Sequence, residues 1–388
     1  MLSYALSLLS LMETYFLYAS PIIYVLIGAI LLRARPKALA IYLLIGIGIL
    51  AYRFNPGKYD DLTKYYVLIE NHRKLGWNVY RTLYSDNIYF DSAIGFQLLL
   101  WGFSFFSDAV IKVVPALVIG ALALRLCLAI CIDNQISDIT TTRLMAVIFI
   151  LLNAYSYISS WHYFLTLVIL ANLLYTELFR QNKKILCWCG YFALCFFHSI
   201  GITFLLFRII AFARNKIIFW GSGIVLLTWR MWIKVFSLIL NLLPNNAVLI
   251  NFSNKLDLYN ANFGQESLQL VYQLGLIIFA VVVLYLASSA RNHDKEHAAL
   301  YSIIVMASVF ALGSFGSLNL VFRYCHFTMF FLPILLVKTE MFLDEESIGL
   351  WEISFTSKEI KWVWLLLGIS VIMIAGSYIT TQYYVLFK

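Results

Sequence analysis

The sequence predicts an all-α, polytopic integral membrane protein formed as a single transmembrane domain over residues 1–388. Three observations predict it. First, 62% of the 388 residues are hydrophobic and only 12% are charged, against roughly half and a quarter in soluble domains. Second, the apolar runs follow one another almost without pause, at lengths near the roughly 20 residues of a membrane-crossing helix. Third, Lys and Arg, in net excess by +8, sit mostly in the short segments between those runs, as in cytoplasmic loops of membrane proteins. The positive charge is thereby accounted for by topology, and no nucleic-acid partner is expected.

The run 14–32 carries no Lys or Arg before Arg33 and no cleavage site ahead of a polar region, so it is expected to be a retained first span, not a signal peptide. Further candidate spans are 38–54, 109–132, 143–160, 162–180, 185–213, 217–240, 267–290, 298–319, 322–338 and 362–381. The run 91–107 is short and is expected to be half-inserted or interfacial. The run 185–213 is long and is broken by His198-Ser199-Ile200-Gly201; it is either one tilted helix or two short ones meeting inside the membrane. Together these give about 11 to 13 transmembrane helices. All six cysteines lie in or beside apolar runs. They are expected to pack as small hydrophobes, with no disulfide framework.

Basic residues set the orientation. Arg33-Ala-Arg35-Pro-Lys37, Arg180 to Lys184, Arg214-Asn-Lys216 and Arg291 to His297 all read as cytoplasmic. Placing them inside puts the loops 55–90 (with the short run 91–107, an outer-face region over 55–108) and 241–266 outside, together with residues 319–323. It also requires that 91–107 not cross fully and that 185–213 turn back at His198. Irregular backbone at membrane depth is tolerated only where it is buried in protein or lines a cavity. The loop 241–266 is rich in Asn, whose amides suit sugar hydroxyls, or it is an ordinary polar loop. The loop 339–360 is read as a cytoplasmic connector.

With this topology, Arg53, Asp60, Asp61, Trp161, His162, His198, Arg323 and Tyr324 collect at the outer face from separate parts of the chain. Ionisable groups at membrane depth are costly, so such a gathering is a candidate functional site. Each member also has a bland reading. Arg53 and Arg323 can snorkel, Asp60 can cap the helix that starts at Asp61, and His162 and His198 can be satisfied core residues. No HxxxH, HxH or Cys/His spacing is present, so neither a metal site nor a cofactor is expected. Two arginines suit a diphosphate, a carboxylate can take a proton from a hydroxyl, and Tyr and Trp offer faces to sugar rings. The set suits glycan transfer from a lipid-linked diphosphate, with fixed arginines stabilising the departing pyrophosphate.

Tyr52-Arg53, Pro56-Gly57-Lys58-Tyr59-Asp60 and Tyr65-Tyr66, then Asp91 opening a short helix, Phe197-His198-Ser199, and Arg323-Tyr324 ahead of an apolar run with Pro333 resemble, in order and spacing, the motifs of Wzy-type (EpsG-like) O-antigen and exopolysaccharide polymerases. The resemblance covers most of the chain. Two positions depart from it: Asp60 and Asp61 both stand where the family has one Asp, and Trp161-His162 stands where it often has Arg-Gln. The resemblance implies a GT-C-like fold, a bacterial cytoplasmic (inner) membrane location with the active site facing the periplasm, and undecaprenyl-diphosphate-linked oligosaccharides as donor and acceptor. A chain-length regulator protein is a further expected partner, beside membrane lipid. Arg53 and Arg323 would hold the donor diphosphate, and Asp60 or Asp61 would activate the acceptor. His198 and His162 would orient phosphate or acceptor, or share the base role. Tyr59, Tyr324 and Trp161 would shape the sugar site, with Arg81 a further substrate-binding candidate. The rival readings are a transporter or flippase of lipid-linked glycans, and a membrane O-acyltransferase using His198 or His162.

Overall fold

The computed structural model describes residues 21–57, 60–78, 94–213, 215–232, 235, 267–338 and 357–386. Among these every regular element is helical and no strand occurs. The chain opens with α1 (Pro21–Leu31) and α2 (Pro36–Arg53). The turn between them holds Arg33 and Arg35. Pro36 starts α2, where its missing N–H costs nothing. The two helices lock through Tyr24 and Tyr42, whose rings stack at 4.2 Å while the Tyr24 hydroxyl donates to the Tyr42 carbonyl at 2.8 Å.

Next come α3 (Asp61–Leu75) and α4 (Ile94–Phe103), then α5 (Asp108–Asp133), whose 26 residues span roughly 39 Å at the α-helical rise. Helix α6 (Asp138–Leu152) is capped by Ser137, which accepts from the Thr140 N–H. The expected span 143–160 is two helices. The first starts earlier, at Asp138, and stops at Asn153, whose φ of +46° Asn tolerates better than most residues. A short helix, α7 (Ala154–Ser159), follows. Helix α8 (Trp161–Leu174) then runs into one π-helical turn, Tyr175–Phe179.

Past α9 (Lys184–Cys195), α10 (Ser199–Ala213) and α11 (Lys216–Leu227) come α12 (Ser267–His293) and α13 (Ala298–Gly313). Then follow α14 (Leu318–Met329), α15 (Leu332–Lys338) and α16 (Ser357–Leu386). The expected span 322–338 is bent: α14 and α15 meet at 54° across Phe330-Phe331, with Pro333 in the first turn of α15, where proline fits. Arg323 therefore lies within a helix that already began at Leu318. Among the described residues, four helices are long and apolar enough to cross a membrane, five if the bent pair is one span, and seven further apolar helices are shorter. All six cysteines are free, and Cys127, Cys131, Cys187 and Cys325 are buried.

The run 185–213 folds as a hairpin. Helices α9 and α10 break at Phe196–His198, and the Arg208 guanidinium lies over the Trp188 ring at 5.2 Å; each of the two residues is ten positions from His198. At 12 and 15 residues the arms rise about 18 and 22 Å, less than the roughly 30 Å of a hydrocarbon core. The apex is met by α4: the Gly95 N–H donates to the Phe196 carbonyl at 2.9 Å. A Cβ at Gly95 would stand 2.9 Å from that oxygen, so the backbones approach this closely because the residue is glycine. The two irregular segments that the charge rule required thus meet each other, and one satisfies a carbonyl of the other.

The bundle sorts the chain to two ends. At one, Lys112 Nζ donates to the Phe54 carbonyl, Ser159 and Ser160 meet Asp60 and Asp61, and Tyr163 meets Arg323. At the other, Arg180 pairs with Asp133, Gln181 bonds Glu296, and Lys338 approaches Asp294. Among the described residues, Arg53, Asp60, Asp61 and Arg323, read as outer, fall at the first end, and Arg180, Gln181 and Glu296, read as cytoplasmic, fall at the second.

Candidate active site

The outer-face candidates meet along one short segment, Ser159 to Tyr163, which joins α7 to α8. Asp60 stands at the N-cap position of α3 with extended backbone, yet its carboxylate makes no capping bond. It accepts instead from the Gly57 N–H at 2.5 Å and from the Ser159 hydroxyl at 3.1 Å. The next residue, Asp61, accepts from the Ser160 hydroxyl at 2.9 Å and pairs with Lys64 at 3.0 Å. Ser160 is itself the N-cap residue of α8 and likewise makes no side-chain cap there. Two helix N-termini, each carrying a partial positive charge, thus meet with their N-cap side chains turned to other partners.

At the second residue of α8, His162 is buried and its Nε2 lies 2.6 Å from the Phe197 carbonyl. A carbonyl only accepts, so Nε2 carries the proton in that bond. The ring stacks on Phe96 of α4 at 3.5 Å between centroids and lies 4.9 Å from the ring of His198. His198 Nδ1 accepts from the Ile200 N–H at 3.0 Å, which makes it the cap of α10 and puts its proton on Nε2 when neutral. Three helix N-termini, those of α3, α8 and α10, therefore converge. Such ends attract anions, phosphates included.

Tyr163 brings in the arginine. Its hydroxyl donates to the Arg323 carbonyl at 2.8 Å, and the Arg323 guanidinium lies over its ring at 5.5 Å, within cation–π range. Tyr163, Ser159 and Ser160 were not singled out in the sequence. Their one signal was position, flanking the Trp161-His162 pair at the start of a span.

Not every expected residue faces this cluster. Trp161 is fully buried, edge-on to Tyr65, Phe96 and Phe103, and its indole N–H has no hydrogen-bond partner among the described residues. Tyr324 is buried against Phe204, Phe207 and Phe310. Both rings belong to the packing behind the site; neither offers an open face to a sugar. Arg53 is exposed at the last residue of α2, beside Phe54, whose carbonyl holds Lys112 Nζ at 2.9 Å. Lys112 is a cation the sequence reading passed over. Tyr59 and Arg81 lie outside the described residues, as do Asp91 and the Asn-rich loop 241–266.

Two contacts brace α3 from behind. His72 Nε2 meets Gln97 Oε1 of α4 at 3.1 Å, and Arg73 pairs with Asp108 at 3.0 Å while donating to the Phe106 carbonyl at 2.7 Å. Burial, and then the Asp108 charge, push the Tyr66 hydroxyl up to about 12, which removes it as a base at neutral pH. Among the described residues no three His, Cys, Asp or Glu side chains gather as metal ligands would. No family model, curated protein or solved structure matches this chain.

Proposed function

We propose that the protein is a metal-independent, GT-C-type membrane glycosyltransferase that polymerises undecaprenyl-diphosphate-linked oligosaccharide repeat units into O-antigen or a related polysaccharide. It would cross the bacterial cytoplasmic membrane about 11 to 13 times and work at the periplasmic face. One observation carries the reading: the Ser159–Tyr163 segment joins Asp60 and Asp61, the His162–His198 pair and Arg323 in a single cluster. Arg323, with Arg53 from the edge, holds the donor diphosphate. The converging helix N-termini add positive potential where the pyrophosphate develops charge. Asp60 takes the proton of the acceptor hydroxyl; the acceptor oxygen bonds to the anomeric carbon as its bond to the diphosphate breaks. Asp60 is favoured over Asp61 because Lys64 competes for the Asp61 carboxylate. His162 and His198 position the hairpin apex, since each spends a ring nitrogen on backbone.

The bend between α14 and α15 favours a second reading, transport of lipid-linked glycans, because transporters use broken helices near a central site. Purified protein supplied with lipid-linked repeat units separates the readings. Polymerisation lengthens the glycan and transport only displaces the lipid. An O-acyltransferase would acylate a sugar. Absence of longer glycan with an intact, folded protein would sink the polymerase reading.

A further inference from the structure

A second site stands at the opposite end of the bundle. A cleft of about 240 Å³ opens between the α10–α11 turn and the α12–α13 turn, lined by Lys216, Arg291, Lys295 and Glu296 over a floor that includes Phe219 and Ala298. Three cations face one carboxylate. That carboxylate already accepts from Gln181 Nε2 at 3.0 Å, so it is engaged elsewhere. Arg291 is held in place by Phe219, with its guanidinium 4.0 Å from the ring centroid. Among the described residues, none of the three cations has an ion-pair partner. Elsewhere at this end the cations Arg180 and Arg208 are matched to carboxylates at 2.6 Å. The N-termini of α11 and α13 also border the cleft, adding partial positive charge.

We propose that this cleft binds the phosphate of an anionic phospholipid headgroup. Its chemistry is that of basic pockets between transmembrane helices that take acidic headgroups. Its volume falls below the about 300–1,000 Å³ of pockets that enclose a whole drug-sized ligand, which suits a headgroup whose chains remain outside. Phe212, Ile217 and Trp220 are exposed on the adjoining turns of α10 and α11, where acyl chains would lie. Those apolar neighbours argue for a lipid over a soluble phosphate. The site lies at the end that the basic segments assign to the cytoplasm, away from the candidate active site, and does not depend on its chemistry.

The test uses the purified full chain in detergent, with native mass spectrometry and thermal unfolding in the presence of phosphatidylglycerol, phosphatidylcholine or inorganic phosphate. Phosphatidylglycerol is expected to stay bound and to raise Tm. Lys295→Gln should weaken it about fivefold, and adding Arg291→Gln should weaken it by a similar factor again. Arg291→Lys should retain most of the binding. Lys74→Gln, at the other end, should change nothing. Should Arg291→Gln fail to fold, Lys295→Gln alone, at an exposed side chain, decides. Equal retention of phosphatidylcholine, or undiminished phosphatidylglycerol binding by Lys295→Gln, would overturn the proposal. So would protection by inorganic phosphate without protection by lipid, which would assign the cleft to a soluble phosphate.

Discussion

Asp133 and Glu177 at the basic end, and Asp60 at the other, keep different company. Glu177 sits on the π-helical turn and takes two bonds from Arg208, at 2.9 and 2.6 Å, with a third from the Tyr191 hydroxyl at 2.8 Å. Asp133 takes two from Arg180, at 2.6 and 3.0 Å, with a third from Tyr175 at 2.7 Å. In both clamps a guanidinium takes both carboxylate oxygens and a tyrosine adds a third bond, and the first staples the hairpin arms to the turn that ends α8. Asp60 is held by a serine hydroxyl and a backbone N–H. Such neutral donors orient a carboxylate without cancelling its charge. The contrast separates two uses of a buried or half-buried acid: a clamp spends its lone pairs on a cation, whereas a base must keep affinity for a proton.

Removing a clamp should therefore have the largest structural effect. Glu177→Ala leaves Arg208 buried without its carboxylate and should cost about 3–5 kcal/mol, read as a large fall in Tm in detergent. The double change Glu177→Gln with Arg208→Met should recover much of that loss, because replacing a buried pair is far cheaper than breaking it. If Glu177→Ala melts like the parent protein, the clamp is not holding the hairpin.

The other end should respond in activity before stability. Arg323→Lys keeps the charge and loses the planar fork. It should lower polymerisation roughly 30- to 150-fold, about 2–3 kcal/mol, with Tm little changed. Near-normal glycan length would make this arginine a general charge or an anchor. Tyr163→Phe removes the hydroxyl that donates to the Arg323 carbonyl. The expected loss is about 0.5–1.5 kcal/mol, roughly two- to tenfold in rate, and an unchanged rate would mean that Tyr163 does not position the arginine. Smallest is a probe that should perturb nothing. A cysteine at Asn78 in a cysteine-free variant is expected to react with an impermeant maleimide in intact spheroplasts. Labelling only after lysis would reverse the two ends and with them the proposed site.

Much of this arrangement was legible from charge and apolar run length. The overlong 185–213 and the short 91–107 announced themselves as misfits to the membrane thickness, and the positive-inside rule forced the turn at His198. The gathering of Asp60, Asp61, His162, His198 and Arg323 followed from topology alone. What the sequence did not carry was side-chain direction. Trp161 and Tyr324 sit beside site residues in the chain, but a helix turns each neighbour by about 100°, so both rings face the packing. Nor does run length distinguish one span from two: the break at Asn153 and the 54° bend ahead of Pro333 are local backbone events inside stretches that each read as a single span. Ser159 and Ser160 were missed because they fell inside the expected span 143–160, whereas the chain breaks there and turns both hydroxyls to Asp60 and Asp61.

The central claim is that Asp60 is the base, and Asp60→Asn tests it most directly. Asparagine can keep its carbonyl on the Gly57 N–H while its amide N–H donates to the Ser159 hydroxyl, which turns from donor to acceptor, so the geometry around residue 60 should persist and Tm should hold. It cannot take the acceptor's proton. Assayed beside Asp61→Asn with lipid-linked repeat units, Asp60→Asn is expected to make no glycan longer than one repeat, while Asp61→Asn retains elongation. Full elongation by both single variants would contradict the account and remove the carboxylate from the mechanism.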